Sequence, residues 1–127
     1  MLQPFSCYKE SLKIAVRNLT RNTVLADSAD VADSSEKRRT GLLKHTGLNP
    51  GEGLWIVPCE SVHSFFMKFA IDLVYLDRDK KVRKVRHRMA PWRVSACLTA
   101  HSILELPAGV VEATGTLKGD QLAIDER

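Results

Sequence analysis

From Leu54 to Ile124 the chain is cut into short apolar runs separated by turn residues, which excludes a bundle of long helices. Leu54-Trp-Ile-Val, Val62–Phe69, Ile71–Leu76, Ser102–Leu106 and Gln121–Ile124 each read as a strand. Aromatic and β-branched side chains dominate the two central runs, as a pleated, half-buried surface favours. Asp77-Arg-Asp-Lys reads as a hairpin turn, with Lys81–Arg88 as the return strand and Val82 and Val85 its only apolar residues. Upstream, Leu12, Ile14 and Val16 alternate with Lys13, Ala15 and Arg17, the period of a strand with one wet face. Thr23–Leu25 reads as a short second strand, Asp27–Asp33 as a polar loop, and residues 1–10 as a loose lead-in to one domain over 11–127.

Ser34 and Ser35 precede Glu36-Lys-Arg-Arg-Thr-Gly-Leu-Leu-Lys-His. A serine cap, an acidic first turn and a basic last turn predict a helix of about ten residues ending near Gly47. Gly41 inside it is expected to admit a close backbone neighbour, and Gly109–Gly115 reads as a single helical turn. The expected fold class is therefore mainly β (α+β): a small antiparallel, curled or barrel-like sheet of six to seven strands with one packed helix.

At 127 residues, 44% hydrophobic and 27% charged, the chain can bury about two-thirds of its surface and needs no disulfide staples. The longest stretch without Asp, Glu, Lys or Arg, Val94–Leu104, is about half a bilayer span, so no membrane partner is expected. The N-terminus carries no secretory pattern, and Cys7, Cys59 and Cys97 are odd in number and far apart. Free thiols and a cytoplasmic setting are the expectation. The net charge of +4 is concentrated: Arg78–Arg93 holds eight of the 19 basic residues, opposed only by Asp79.

Five motifs then stand in order: Trp55-Ile-Val-Pro-Cys, Val62-His-Ser-Phe-Phe-Met-Lys-Phe-Ala-Ile-Asp-Leu-Val-Tyr-Leu-Asp, Ala90-Pro-Trp-Arg, Ile103-Leu-Glu-Leu-Pro-Ala-Gly, and Gly115 with Gly119-Asp120. Together, over about Lys37 to Ile124, they resemble the family called domain of unknown function 192, small bacterial and archaeal proteins. The resemblance implies a compact, mostly β domain and no defined activity. The chain departs from the family's pattern at Lys80, where glycine is common, and at Ala70, where proline is common.

Several constellations carry chemistry. Cys59-x-x-x-His63 and Cys97-x-x-x-His101 repeat a spacing of soft ligands. On a strand, residues four apart are roughly 13 Å apart and cannot share a metal, so no metal or cofactor is expected. A thiol nucleophile at Cys59 or Cys97, with His63 or His101 as base and Glu105 as orienting acid, is the enzymatic alternative. Lys68 and Asp72 are charges inside an apolar stretch, costly unless paired or wet. Glu105 between two leucines can accept from the Ala108–Gly109 turn or from Arg93. The basic segment Arg78–Arg93 with Trp92 has the composition of a weak nucleic-acid footprint, or of a solvated strand that resists aggregation.

The reading these residues favour is an accessory or binding domain rather than an enzyme. Its site is expected at a hollow formed by His63, Met67, Lys68, Asp72 and Glu105, with Trp92 and Arg93 alongside. Its ligand is expected to be small or anionic, and the oligomeric state is left open. The arrangement assumes that the segment around Phe66 is extended, so that alternate side chains share a face.

Overall fold

The computed structural model describes residues 12–43 and 45–127. The expected lead-in and Cys7 lie outside the described residues. The chain runs β1 (Lys13–Asn18), β2 (Thr23–Ala32), α1 (Ser35–Thr40), β3 (Glu52–Ile56), β4 (Ser61–His63), β5 (Ile71–Leu76), β6 (Val82–Met89), β7 (Val94–Ala96), β8 (Ser102–Pro107), α2 (Val110–Thr114) and β9 (Leu122–Glu126). Seven strands form one sheet in the order β6-β5-β8-β3-β2-β1-β9, and β4 pairs with β7 in a separate ribbon. Every pairing is antiparallel except β2 with β3.

The edge strands of the large sheet meet at one end. Lys81 bridges Gln121, Val82 N–H donates to Asp120 O at 2.9 Å, and Leu122 N–H donates to Lys80 O at 3.0 Å. The sheet is thereby curled into a partly closed barrel, which removes part of two exposed edges. Asp120 holds this closure: Arg21 donates to both its oxygens at 3.0 and 3.2 Å, and Asn18 donates to Oδ2 at 3.0 Å. Burial alone would raise the Asp120 pKa, but the bonds from Arg21, Asn18 and Leu117 N–H outweigh it and lower the pKa. The Gly119-Asp120 motif is therefore a seam of the barrel.

Two apolar layers flank the sheet. Inside the curl lie Val16, Val74, Leu76, Leu104 and Leu106, with Val111 of α2 packed on them. On the outer face, Leu54, Ile71, Leu73, Tyr75 and Ile103 pack with Leu42, Met67 and residues of the β4–β7 ribbon. β5 is buried on both faces, so its alternation is invisible and it reads as one apolar run. The ribbon is tied down by Tyr75 OH, which donates to Ser95 Oγ at 2.6 Å, and by long cations of β6. Lys84 Nζ donates to Ala96 O at 2.8 Å, and Arg86 donates to Val94 O at 3.0 Å.

Four local expectations need correction. The helix is shorter: Ser34 caps it by accepting from Lys37 N–H, but Gly41 ends it at φ 50. A Cβ on Gly41 would meet only Arg38 O, at 3.8 Å, so its glycine serves the left-handed stop rather than a close neighbour. Asp27–Asp33 is largely strand, because β2 runs to Ala32 and buries the small side chains Ala26, Ala29 and Ala32 while its polar residues stay nearer solvent. The single helical turn expected at Gly109–Gly115 forms, as α2.

The fourth correction concerns the segment around Phe66. β4 ends at His63, and 64–69 is a turn in which Phe66 has φ 68. Ser64 causes the bend: its hydroxyl donates to Ala90 O at 2.7 Å and accepts from Arg93 N–H at 2.9 Å. Its backbone C=O accepts from Trp92 N–H at 2.9 Å. The strand pattern of Phe65-Phe66-Met67 loses to this long-range clasp. The hairpin at Asp77 forms as expected, with Lys80 taking the left-handed conformation at φ 66. Among the described residues, no helix is long and apolar enough to cross a membrane.

Candidate functional site

A hollow of about 420 Å³ opens between the end of α1, β4 and the Phe66 turn, in the range of small-molecule sites. Leu42, Leu43, Ile56, Val62 and Met67 make its walls apolar. Glu105 reaches into it from β8. In register, Glu105 stands beside Leu54 and Leu73, and its side chain lies on the outer face of the sheet. It is 4% exposed, and its Oε1 has no hydrogen-bond partner. Burial pushes its pKa up to about 7, so near neutrality the carboxyl keeps a proton about half the time.

The mouth is chemically distinct. Arg38 and Arg39 line it from α1, and among the described residues neither is in an ion pair with an acid. Cys59 and His63 line it from the segment before and along β4. Burial pushes the Cys59 thiol up and the charge of Glu105 adds to this, while a backbone hydrogen bond from Ser61 only partly offsets it. The thiol stays protonated near neutrality, which disfavours a nucleophilic role. His63 Nδ1 accepts from Phe65 N–H at 3.3 Å, and its ring stacks on Phe65 with centroids 4.8 Å apart.

The residues singled out by sequence divide into groups. His63, Met67, Glu105 and Cys59 line one hollow. Asp72 lies on the opposite face of the sheet, level with Leu106 rather than with Glu105. It is fully buried, and its Oδ2 accepts from Gly109 N–H at 3.0 Å and Val111 N–H at 2.9 Å. Its Oδ1 accepts from Arg88 N–H at 2.8 Å, where β6 bulges at φ 47. Asp72 thus takes the anchoring role at the Ala108–Gly109 turn that sequence reasoning offered to Glu105. Lys68 is exposed beside the Phe66 turn. Arg93 turns back on its own loop, donating to Trp92 O at 3.3 Å.

Cys97 and His101 do not line the hollow. Cys97 Sγ meets Thr99 Oγ1 at 3.4 Å, while the His101 C=O accepts from Cys59 N–H at 2.8 Å and both residues line a shallow cleft with Arg78 and Ala100. Among the described residues, no three of His, Cys, Asp and Glu converge as a metal site would require. Sequence reasoning missed Arg38 and Arg39. Their signal was the basic last turn of the capped helix, which reads equally well as complement to a helix dipole.

Beside the hollow, Phe66 and Trp92 project outward, 70% and 55% exposed, in edge-to-face contact at 4.7 Å. Both sit at positive φ, 68 and 67, where a bulky side chain costs about 1–2 kcal/mol. A strained backbone that displays apolar rings to solvent does not serve stability. We expect the double variant Phe66→Gly/Trp92→Gly to stay within about 1 kcal/mol of the parent in urea unfolding, because relief of strain offsets the glycine entropy. Loss of a buried aromatic would instead cost about 3–5 kcal/mol. A loss of that size would show the rings to be structural.

The family model DUF192, described as an uncharacterized ACR, matches residues 16–124. The chain belongs to this family. Its DUF192 relatives include a UPF0127 protein of Thermococcus sibiricus, 32% identical over 111 residues, which are 83% of this chain and 71% of that protein. A second UPF0127 protein, from Pyrococcus furiosus, is 32% identical over 112 residues, 83% of this chain and 93% of its own length. Two crystal structures share the fold. One, from Sinorhizobium meliloti and provisionally named a transcription regulator, has TM-score 0.77 at 19% identity, covering 89% of this chain and 92% of that one. The other is a protein of unknown function from Novosphingobium aromaticivorans, with TM-score 0.73 at 18% identity, covering 87% and 83%. At these identities the DUF192 fold is shared and nothing narrower. The chain is thus a mainly β member of a family described as uncharacterized.

Proposed function

We propose that this DUF192 protein is a binding module whose site is the hollow above Glu105 and whose ligand is a small amphipathic anion. The observation that carries the reading is the orphaned Oε1 of Glu105, buried without a hydrogen-bond partner in a residue that lines the hollow. An unpaired buried polar atom costs about 1–3 kcal/mol, and a ligand that pairs with it recovers that cost. Protonated Glu105 donates to an oxygen of the ligand, Arg38 and Arg39 offset the ligand's charge, and Leu42, Ile56 and Met67 cover its apolar part. Lys68, Trp92 and Arg93 stand outside this set, and Asp72 serves it only by holding the sheet. A cytoplasmic setting belongs to the same proposal and is supported by the free thiols of Cys59 and Cys97 among the described residues. The thiol-enzyme alternative fares worse, because its nucleophile in the hollow has a raised pKa.

Octanoate is a suitable probe, with one carboxylate and one apolar tail. Calorimetric titration is expected to give saturable binding at pH 6 that weakens about tenfold by pH 8, as Glu105 loses its proton and repels the anion. Glu105→Gln keeps a donor at every pH, so its binding is expected to be flat across that range. Absence of binding at pH 6, or an unchanged pH dependence in Glu105→Gln, would overturn the proposal.

A further inference from the structure

Outside the hollow, an exposed apolar surface extends from the Phe66 turn along β7. Val94 is 60% exposed and Leu98 is 80% exposed. Val94 and Ala96 share the exposed side of β7 with Ser95 buried between them, and Leu98 follows in the turn after the strand. With Phe66 and Trp92 they form a band of aromatic and aliphatic side chains facing water. Phe65 stacks behind Trp92 at 5.7 Å and stiffens the tip. The Ser64 clasp and two left-handed residues hold this tip in place, so the display is built rather than incidental.

The surroundings of the band are cationic. Lys68 and Arg93 are exposed next to Phe66 and Trp92, and Arg39 lies across the shared hollow. The chain carries no Asp or Glu from Ser61 to Ile71, and none from Lys80 to Leu104. The band and its fringe therefore complement something apolar and anionic at once.

We propose that this band docks on the surface of a membrane bearing anionic lipids. Phe66 and Trp92 enter the interfacial layer, where aromatic rings partition well, and Lys68 and Arg93 meet the headgroups. Nucleic acid suits the surface less. Val94 and Leu98 offer no face for base stacking. The cations of β6 are partly committed: Lys84 and Arg86 to carbonyls of β7, and Arg88 to Glu112 at 3.2 Å. The expectation of no membrane partner rested on span length, and a surface dock needs no span. The inference uses neither Glu105 nor Arg38, although Phe66 and Arg39 also line the hollow.

Co-sedimentation of the whole chain tests it, with phosphatidylcholine vesicles alone and with added phosphatidylglycerol. Binding is expected only with the anionic lipid, with weakening at high salt and a blue shift of tryptophan emission that the variant lacking Trp92 does not show. The Phe66→Gly/Trp92→Gly variant, whose fold is checked by circular dichroism, is expected to partition at least tenfold more weakly. Lys68→Glu/Arg93→Glu should do the same with both rings intact. No partition onto phosphatidylglycerol vesicles, partition unaffected by either variant, competition by soluble glycerol phosphate, or preference for a single-stranded oligonucleotide would each overturn it.

Discussion

Glu105→Gln is expected to match the parent in stability at pH 4 and to exceed it by about 3 kcal/mol at pH 8. The cause is the buried carboxyl. Its folded pKa, about 7, lies above its ordinary value of 4.5, so the native state binds this proton more tightly than the unfolded state. The stability this confers is complete below about 4.5, falls as pH rises through the window between the two values, and is gone above about 7. Glutamine has the same shape and no proton to lose. Other titrating groups, such as Asp120 with its lowered pKa and opposite sign, are common to both proteins and cancel in the difference. Urea unfolding of both chains from pH 4 to pH 8 measures it. Parallel stability curves would mean that Glu105 is hydrated or paired in solution.

Asp72→Ala is expected to cost about 3–5 kcal/mol, the largest loss from any polar position considered. Three buried or half-buried backbone N–H groups, of Arg88, Gly109 and Val111, lose their acceptor at once. They belong to three elements: the bulge of β6, the turn after β8, and the first residues of α2. Val111, fully buried in the barrel core, is then poorly held. Asp72→Asn keeps one carbonyl acceptor and is expected to cost about 1–3 kcal/mol. Hydrogen exchange of the Gly109 and Val111 amides should speed up in both variants. A loss below about 1 kcal/mol for Asp72→Ala would show that these N–H groups find other partners or water.

These two acids show how far the sequence can be read. Each is a single carboxyl flanked by apolar residues in a strand, and locally they are indistinguishable. Asp72 faces the barrel interior next to a turn whose amides are free, and Glu105 faces a hollow with nothing to accept from. Only strand register separates the cases, and register depends on pairings across the whole sheet. The strands themselves were legible where side chains are large and apolar, as in β5 and β8. They were illegible in β2, where alanines form the buried side and a window of acids and serines imitates a loop. The Phe66 turn was hidden for a different reason. Phe65-Phe66-Met67 has every local mark of a strand, and what bends it is Ser64 bonding to Ala90 and Arg93, some thirty positions away.

The hollow was half legible. His63, Met67 and Glu105 were named because they interrupt or adjoin apolar runs within family motifs. Arg38 and Arg39 were hidden in a helix whose capping and charge order already explained them. Lys68, Trp92 and Arg93 were grouped with the hollow on the assumption of an extended segment. Once that segment bends, they belong to the neighbouring band with Val94 and Leu98.

The account depends on one carboxyl holding a proton beneath a partly apolar hollow. Labelling glutamate side chains with carbon-13 and following the Glu105 carboxyl shift by NMR, with and without octanoate, tests this directly. A midpoint about 7 in the free protein, moving upward when octanoate is added, is the expected result. A midpoint close to 4.5 that octanoate leaves in place would contradict it.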